Sequence, residues 1–254
     1  MPVGARELLW MRRLQSGPAS VVPRLFASGE TLGAFDLAWI VIEQLPYGPL
    51  GTRWHDDHVP RIAEAIARFA VETRRHPVDR QPRHERWEAM LATAREAVKA
   101  SAVPMQQRWT AALRELSAHL DGVVAAWEAR QPLEWLHGDL HFANAMSREA
   151  IDHGPVCLID LAEVDVGHWV EDAIYLERQL WAKPDRLRLH KPLKAIAEAR
   201  KAAGCDNGTD HFRLATIRRT LLAGTAPAFL KSEGAPPYLA ACLERLEEGL
   251  RTLR

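Results

Sequence analysis

The sequence predicts an α+β fold that is mostly helical, and three observations carry the prediction. Short β-type runs occur near the front, at Val21 to Ser28 and Leu37 to Leu45. Long stretches after residue 56 and again after residue 171 set apolar residues three or four apart, the spacing of one helix face. Between them, from Leu133 to Asp160, two apolar runs flank a knot of polar side chains joined by turn residues.

Composition narrows the functional classes. The 254 residues are 47% hydrophobic and 26% charged with zero formal net charge, ordinary for a globular protein. A chain of this length buries roughly 70–75% of its unfolded surface. Charge balance points to no nucleic acid and no anionic membrane as partner. Apolar runs stay well short of the ~20 residues that span a bilayer. The front lacks the charged-then-apolar pattern of a signal peptide, so a cytoplasmic location is expected. Cys157, Cys205 and Cys242 stand singly, which predicts reduced thiols rather than bridges or a zinc site.

In chain order, Ala5 to Gln15 reads as a helix with Leu8, Leu9, Met11 and Leu14 on one side, ended by Gly17-Pro18. Glu7 near its start suits a first-turn carboxylate. A turn region from Gly29 to Gly33 separates the two strand candidates. Ala38-Trp39-Ile40-Val41-Ile42 is continuously apolar, as in a central strand. Glu43-Gln44-Leu45-Pro46-Tyr47-Gly48 then changes to a turn-rich linker. His55-Asp56-Asp57-His58 has the look of a metal cluster, but Asp56 or Asp57 as cap and Pro60 in the first turn favour a helix start. Two further helices are expected, Glu85 to Ala100 and Pro104 to Ala129, the second with a core stripe from Trp109 to Trp127. Past Asp160, residues Leu161 to Trp169 read as a loop. Asp172 opens a helix as a candidate N-cap. Lys183 to Lys201 reads as a solvated basic face, and two last helices cover Asp210 to Ala223 and Pro237 to Leu253.

The polar knot holds the chemistry. His137-Gly138-Asp139-Leu140-His141-Phe142-Ala143-Asn144 precedes a hairpin with Asn144 to Ser147 as one arm and Val156 to Ile159 as the other. Asp152-His153-Gly154-Pro155 forms the turn. That geometry brings Asn144 and Asp160 to one end of the hairpin. A carboxylate beside a carboxamide oxygen suits Mg²⁺, which takes a few protein oxygens plus phosphate and water. The remaining carboxylate, Asp139, is placed to orient and deprotonate a hydroxyl. Two other readings stay open. His137, Asp139 and His141 form H-x-D-x-H, a possible transition-metal set for a hydrolase, and the polar groups can also simply satisfy loop amides.

His137-Gly138-Asp139, Asn144 five residues after Asp139, then Ile159-Asp160, Gly167 and Asp172, resemble the signature shared by aminoglycoside phosphotransferases, choline kinases and their relatives. The resemblance implies a protein-kinase-like two-lobe fold: residues 1–47 as a truncated small lobe ending at a hinge, and 48–254 as a mostly helical large lobe with the catalytic hairpin. It implies Asp139 as catalytic base, Asn144 and Asp160 as Mg²⁺ ligands, and His137 and Asp172 as supports of the catalytic loop. Glu7 then lies on the small-lobe helix whose glutamate pairs with a lysine that grips the ATP phosphates, with backbone groups near Glu43 and Leu45 at the adenine hinge. The implied reaction moves the ATP γ-phosphate to a hydroxyl of a small-molecule acceptor. Glu163, Asp165 and Glu171 are candidates to line an acidic acceptor pocket.

The sequence departs from that pattern at its front. The first lysine is Lys99, and Gly29 and Gly33 lack the G-x-G-x-x-G spacing. Absent a glycine-rich loop and a phosphate-gripping lysine, weak ATP binding and feeble turnover are expected, either because the true start lies upstream or because half of the nucleotide clamp is lost. A pseudokinase or ligand-binding module without turnover is therefore the leading alternative to an active enzyme, ahead of the metal hydrolase.

Overall fold

The structure is a computed structural model that describes residues 3–17, 20–101, 103–150 and 154–253. Pro18, expected to end the first helix, and Asp152 and His153 of the expected hairpin turn lie outside the described residues. The chain divides into two compact units, Met1–Arg83 with Pro132–Glu177 and Arg188–Asn207, and His84–Gln131 with Arg178–Leu187 and Gly208–Arg254. No helix among the described residues is long and apolar enough to cross a membrane.

Helix α1 (Val3–Arg13) buries Leu8, Trp10 and Met11. Strands β1 (Leu25–Gly29) and β2 (Trp39–Ile42) form an antiparallel pair with Leu25 opposite Ile42 and Gly29 opposite Trp39. Continuous apolarity suggests a central strand here, but β2 pairs with β1 alone among the described residues, and Val41 is 49% exposed. A short apolar run does not itself reveal how many sides are covered. Helix α2 (His58–Thr73) buries Val59, Ile62, Ile66 and Phe69. Asp57 sits at its N-cap without a side-chain cap bond, and its own amide donates to His55 Nδ1 at 3.2 Å.

Helices α3 (Trp87–Ala100) and α4 (Gln106–Glu128) begin the second unit. Trp109, Leu113, Leu116, Leu120 and Trp127 are buried, so the stripe on α4 is core, as its spacing predicts.

The chain returns to the first unit through β3 (Glu134–Leu136), a 3₁₀ turn at Phe142–Asn144, β4 (Ala145–Ser147) and β5 (Val156–Leu158). β4 and β5 pair antiparallel with Ala145 opposite Leu158 and Ser147 opposite Val156, the expected hairpin. The stretch after Asp160 is more ordered than the loop that composition suggests. A 3₁₀ turn at Leu161–Glu163 leads into β6 (Asp165–Gly167), which pairs with β3. Three residues are too few to show a period, so β6 exists through its partner rather than its pattern. Asp172 lies inside the first turn of α5 (Val170–Arg178), past the N-cap position expected for it.

The basic stretch forms two helices, α6 (Pro184–His190) and α7 (Pro192–Ala202), parted at Lys191 with φ 42°. α7 packs on α2. Arg200 is not solvated: it is 1% exposed, pairs with Glu134 at 2.5 Å, and lies over the Trp169 ring. Helix α8 (His211–Thr225), the short α9 (Leu230–Glu233) and α10 (Pro236–Thr252) complete the second unit. There Gly249 lets α10 lie directly against Thr220 of α8, where a Cβ would collide with the hydroxyl.

Candidate active site

β3 delivers the chain into His137, whose side chain is fully buried. Its Nδ1 accepts from the Asp139 amide at 3.3 Å and its Nε2 contacts the Ile159 carbonyl at 3.0 Å. One neutral tautomer, protonated on Nε2, satisfies both contacts. Burial lowers the imidazole to about 4, so the ring stays uncharged and ties the loop to the end of β5. The amides of His137 and Gly138 donate to the two oxygens of Asp172, at 2.8 and 3.0 Å. Burial pushes this carboxyl up to about 7 while the two amides pull it down. Gly138 has φ +81°, and any Cβ there would strike the Glu163 carbonyl. Only glycine permits this close pass of the loop.

The loop thus held presents Asp139. The Asn144 amide group donates from Nδ2 to the Asp139 carbonyl at 3.0 Å and to Oδ2 at 3.1 Å. His141 Nε2 stands 3.4 Å from the same Oδ2, its ring fixed by the Ala143 amide donating to Nδ1 at 3.1 Å. Oδ2 is therefore held twice, while Oδ1 makes no hydrogen bond among the described residues. Asn144 Oδ1 is likewise left open, because Nδ2 is the atom turned to Asp139. The Ile159 amide donates to the Asn144 carbonyl at 3.0 Å, joining the two arms one residue before Asp160. Asp160 is exposed, has φ 60°, and its carboxylate makes no hydrogen bond or ion pair among the described residues.

Glu7, half-buried on α1, accepts a bond from the Leu161 amide. Burial first, then the Asp160 charge, raises its carboxyl above the ordinary value. Glu43 and Leu45, expected at a hinge, are placed differently. The Glu43 amide donates to the Arg24 carbonyl at 2.8 Å, and its carboxylate takes the Arg24 amide and the Arg148 guanidinium, which holds it below the usual carboxylate range. Leu45 is buried, and its main chain makes no hydrogen bond among the described residues.

The hydrolase reading finds no support. Both His137 nitrogens are engaged, and among the described residues no group of three or more His, Cys, Asp or Glu could hold a metal. His58 of the other histidine cluster is buried against Trp54 and lowered to about 4 by that burial. The three acidic residues after Asp160 are engaged as well: Arg83 bridges Glu163 at 3.2 Å and Asp165 at 3.7 Å, and Glu171 accepts the His168 amide at 2.9 Å. Arg83 and Arg148 escape sequence reasoning because single arginines in turns carry no pattern. Their partners lie 80 or more positions away.

Known proteins share this fold. A glucosamine kinase structure matches with a TM-score of 0.65 at 16% identity, covering 100% of this chain and 72% of that one. The GDP complex of aminoglycoside 2'-phosphotransferase-IIIa matches with 0.55 at 15% identity, covering 99% and 83%. A choline/ethanolamine kinase family protein from Mesorhizobium loti matches with 0.58 at 13% identity, covering 99% and 85%. At these identities the likeness establishes the fold, a protein-kinase-like α+β architecture. No curated protein matches the sequence. The model of the phosphotransferase enzyme family, APH, matches residues 3–215, and the chain therefore belongs to that family.

Proposed function

We propose that this phosphotransferase moves the γ-phosphate of ATP to a hydroxyl group of a small molecule, with Asp139 as the base. The observation that carries the reading is the asymmetry of Asp139: Oδ2 is fixed by Asn144 and flanked by His141, while Oδ1 is left open to receive the acceptor proton. A base held in one orientation beside its substrate contributes typically 10²–10⁴ in rate. His137 and Asp172 act as supports: one holds the loop from β5, the other through the two amides preceding Asp139.

The residues fit a magnesium ion. Asn144 has turned its donor away and left its carbonyl oxygen open, and Asp160 offers a carboxylate engaged by no other group among the described residues. These two would hold Mg²⁺, which supplies charge neutralisation for the transferring phosphate. Glu7 on α1 borders the same end of the hairpin, and Leu45 at the hinge has main-chain groups open to a purine edge. The GDP found in a similar structure supports a purine nucleotide as donor. In this reading residues 1–47 form the small-lobe side of the nucleotide site and 48–254 the catalytic side. Three free, buried cysteines fit a reducing cytoplasmic compartment.

The acceptor class is an amino sugar, aminoglycoside or amino alcohol, after the glucosamine, aminoglycoside and choline/ethanolamine named for the similar structures. Phosphorus NMR of the purified chain with Mg-ATP and a panel of such hydroxyl compounds tests the reading. A new phosphomonoester signal supports it, and ATP unchanged across the panel counts against it.

A further inference from the structure

The hinge is pinned at both ends by one short segment of the catalytic hairpin. At the first end, Arg148, directly after β4, reaches Glu43 through Nε at 2.9 Å and Nη2 at 2.8 Å, a two-point contact with the carboxylate. Its other donors go to the Ser20 carbonyl at 3.2 Å, the Val22 carbonyl at 3.2 Å and Cys157 Sγ at 2.9 Å. At the second end, Tyr47 and Ser147 exchange main-chain bonds of 3.2 and 2.7 Å, and the Leu50 amide donates to the Ala145 carbonyl at 3.1 Å. Between the pins, Gln44, Leu45 and Pro46 make no main-chain hydrogen bond among the described residues. Fixed ends with an open centre describe a short peptide edge whose donors and acceptors are held ready for a flat, hydrogen-bonding ring.

We propose that Arg148 is a positioning residue for purine binding: by gripping Glu43 it preorganises the Gln44–Pro46 edge that reads the base. The proposal rests on the nucleotide-dependent reading above and adds a residue to it. Arg148 touches no substrate; it removes the ordering cost that a loose hinge would charge against affinity. A lysine cannot substitute, because it lacks the planar fork that meets a carboxylate at two points. A simple staple between distant segments would use the same bonds, but would affect every ligand alike.

The experiment separates the two. Binding of adenosine, Mg-ADP and Mg-pyrophosphate is measured by calorimetry on the full chain, for wild type, Arg148→Lys, Arg148→Gln, Glu43→Gln and the double variant of the last two. Loss of the charge-assisted pair should weaken adenosine and Mg-ADP about tenfold, with pyrophosphate changed less than about twofold. Exchange of the hydrogen-bonded Glu43 and Tyr47 amides at the two pinned ends should quicken in the same variants, and the double variant should be no worse than either single one. Should Arg148→Gln fail to fold, Arg148→Lys and Glu43→Gln carry the same comparison. Equal adenosine affinity in wild type and variants overturns the proposal. Parallel loss of adenosine and pyrophosphate also overturns it, in favour of the staple. Wild type that binds no purine overturns it together with the nucleotide reading, and that result appears before any variant is compared.

Discussion

The two oxygens of Asp139 differ, and the difference is testable at that residue. Asp139→Asn keeps the shape and removes the base, so turnover should fall by about 10²–10⁴ while the unfolding midpoint stays near that of wild type. Turnover within about twofold of wild type, in a preparation shown to be active, would remove Asp139 from the mechanism. Its supports titrate in opposite senses. His137 is lowered from 6.5 to about 4, so its contribution to stability is complete above 6.5 and lost as pH falls toward 4. Asp172 is raised from 3.8 to about 7, so its contribution is present at acid pH and lost as pH rises toward 7. Between pH 6.5 and 4 the two oppose one another. In Asp172→Asn the histidine dependence is no longer opposed by Asp172, and His58, also lowered to about 4, adds to it. The urea midpoint of this variant should therefore drop more steeply on acidification than that of wild type. Parallel slopes for the two proteins would show that Asp172 does not titrate in this range.

Among the elements, the loop that presents Asp139 depends on a single small residue. Gly138→Ala meets both a left-handed backbone and the Glu163 carbonyl. It should cost about 1–3 kcal/mol in unfolding free energy, with activity falling further because His137 and Asp139 shift with it. A midpoint unchanged in guanidinium melts would mean that the loop can relax away from the 3₁₀ turn at Leu161–Glu163. How far each element was legible follows from its length and its partners. α2 and α4 repeat their apolar spacing over 16 and 23 residues, long enough for a period to declare itself. The β4–β5 hairpin announced itself through two apolar arms and turn residues, and with it the nearness of Asn144 to Asp160. β6 has three residues and no periodic signal. The break at Lys191 is a single backbone angle, and the basic composition around it hid Arg200, which is buried because Glu134 and Trp169 receive it. Arg148 could not be found from sequence, since nothing near it predicts Glu43 at a separation of 105 residues.

For the molecule as a whole, each compact unit has its own core, and that of the second is built on Trp127. This indole is 1% exposed, donates to Glu85 at 3.1 Å, and lies beneath the guanidinium groups of Arg130 and Arg218. Trp127→Ala should lower the unfolding free energy by about 3–5 kcal/mol, because a large cavity opens beside the partly buried Arg218–Glu85 ion pair. Differential scanning calorimetry would register this as a lower melting temperature, and an unchanged one would mean that the neighbours collapse into the space. The left-handed backbone at Asp160 bears on the history of such a chain. Asparagine accepts the same backbone angles as aspartate, so Asp160→Asn carries little folding penalty. The codons for the two residues differ by a single base. With Asp160 as the metal ligand proposed above, such a chain stands one point mutation from a binder that folds as before, so extinction of activity in a lineage need leave no mark on stability or expression.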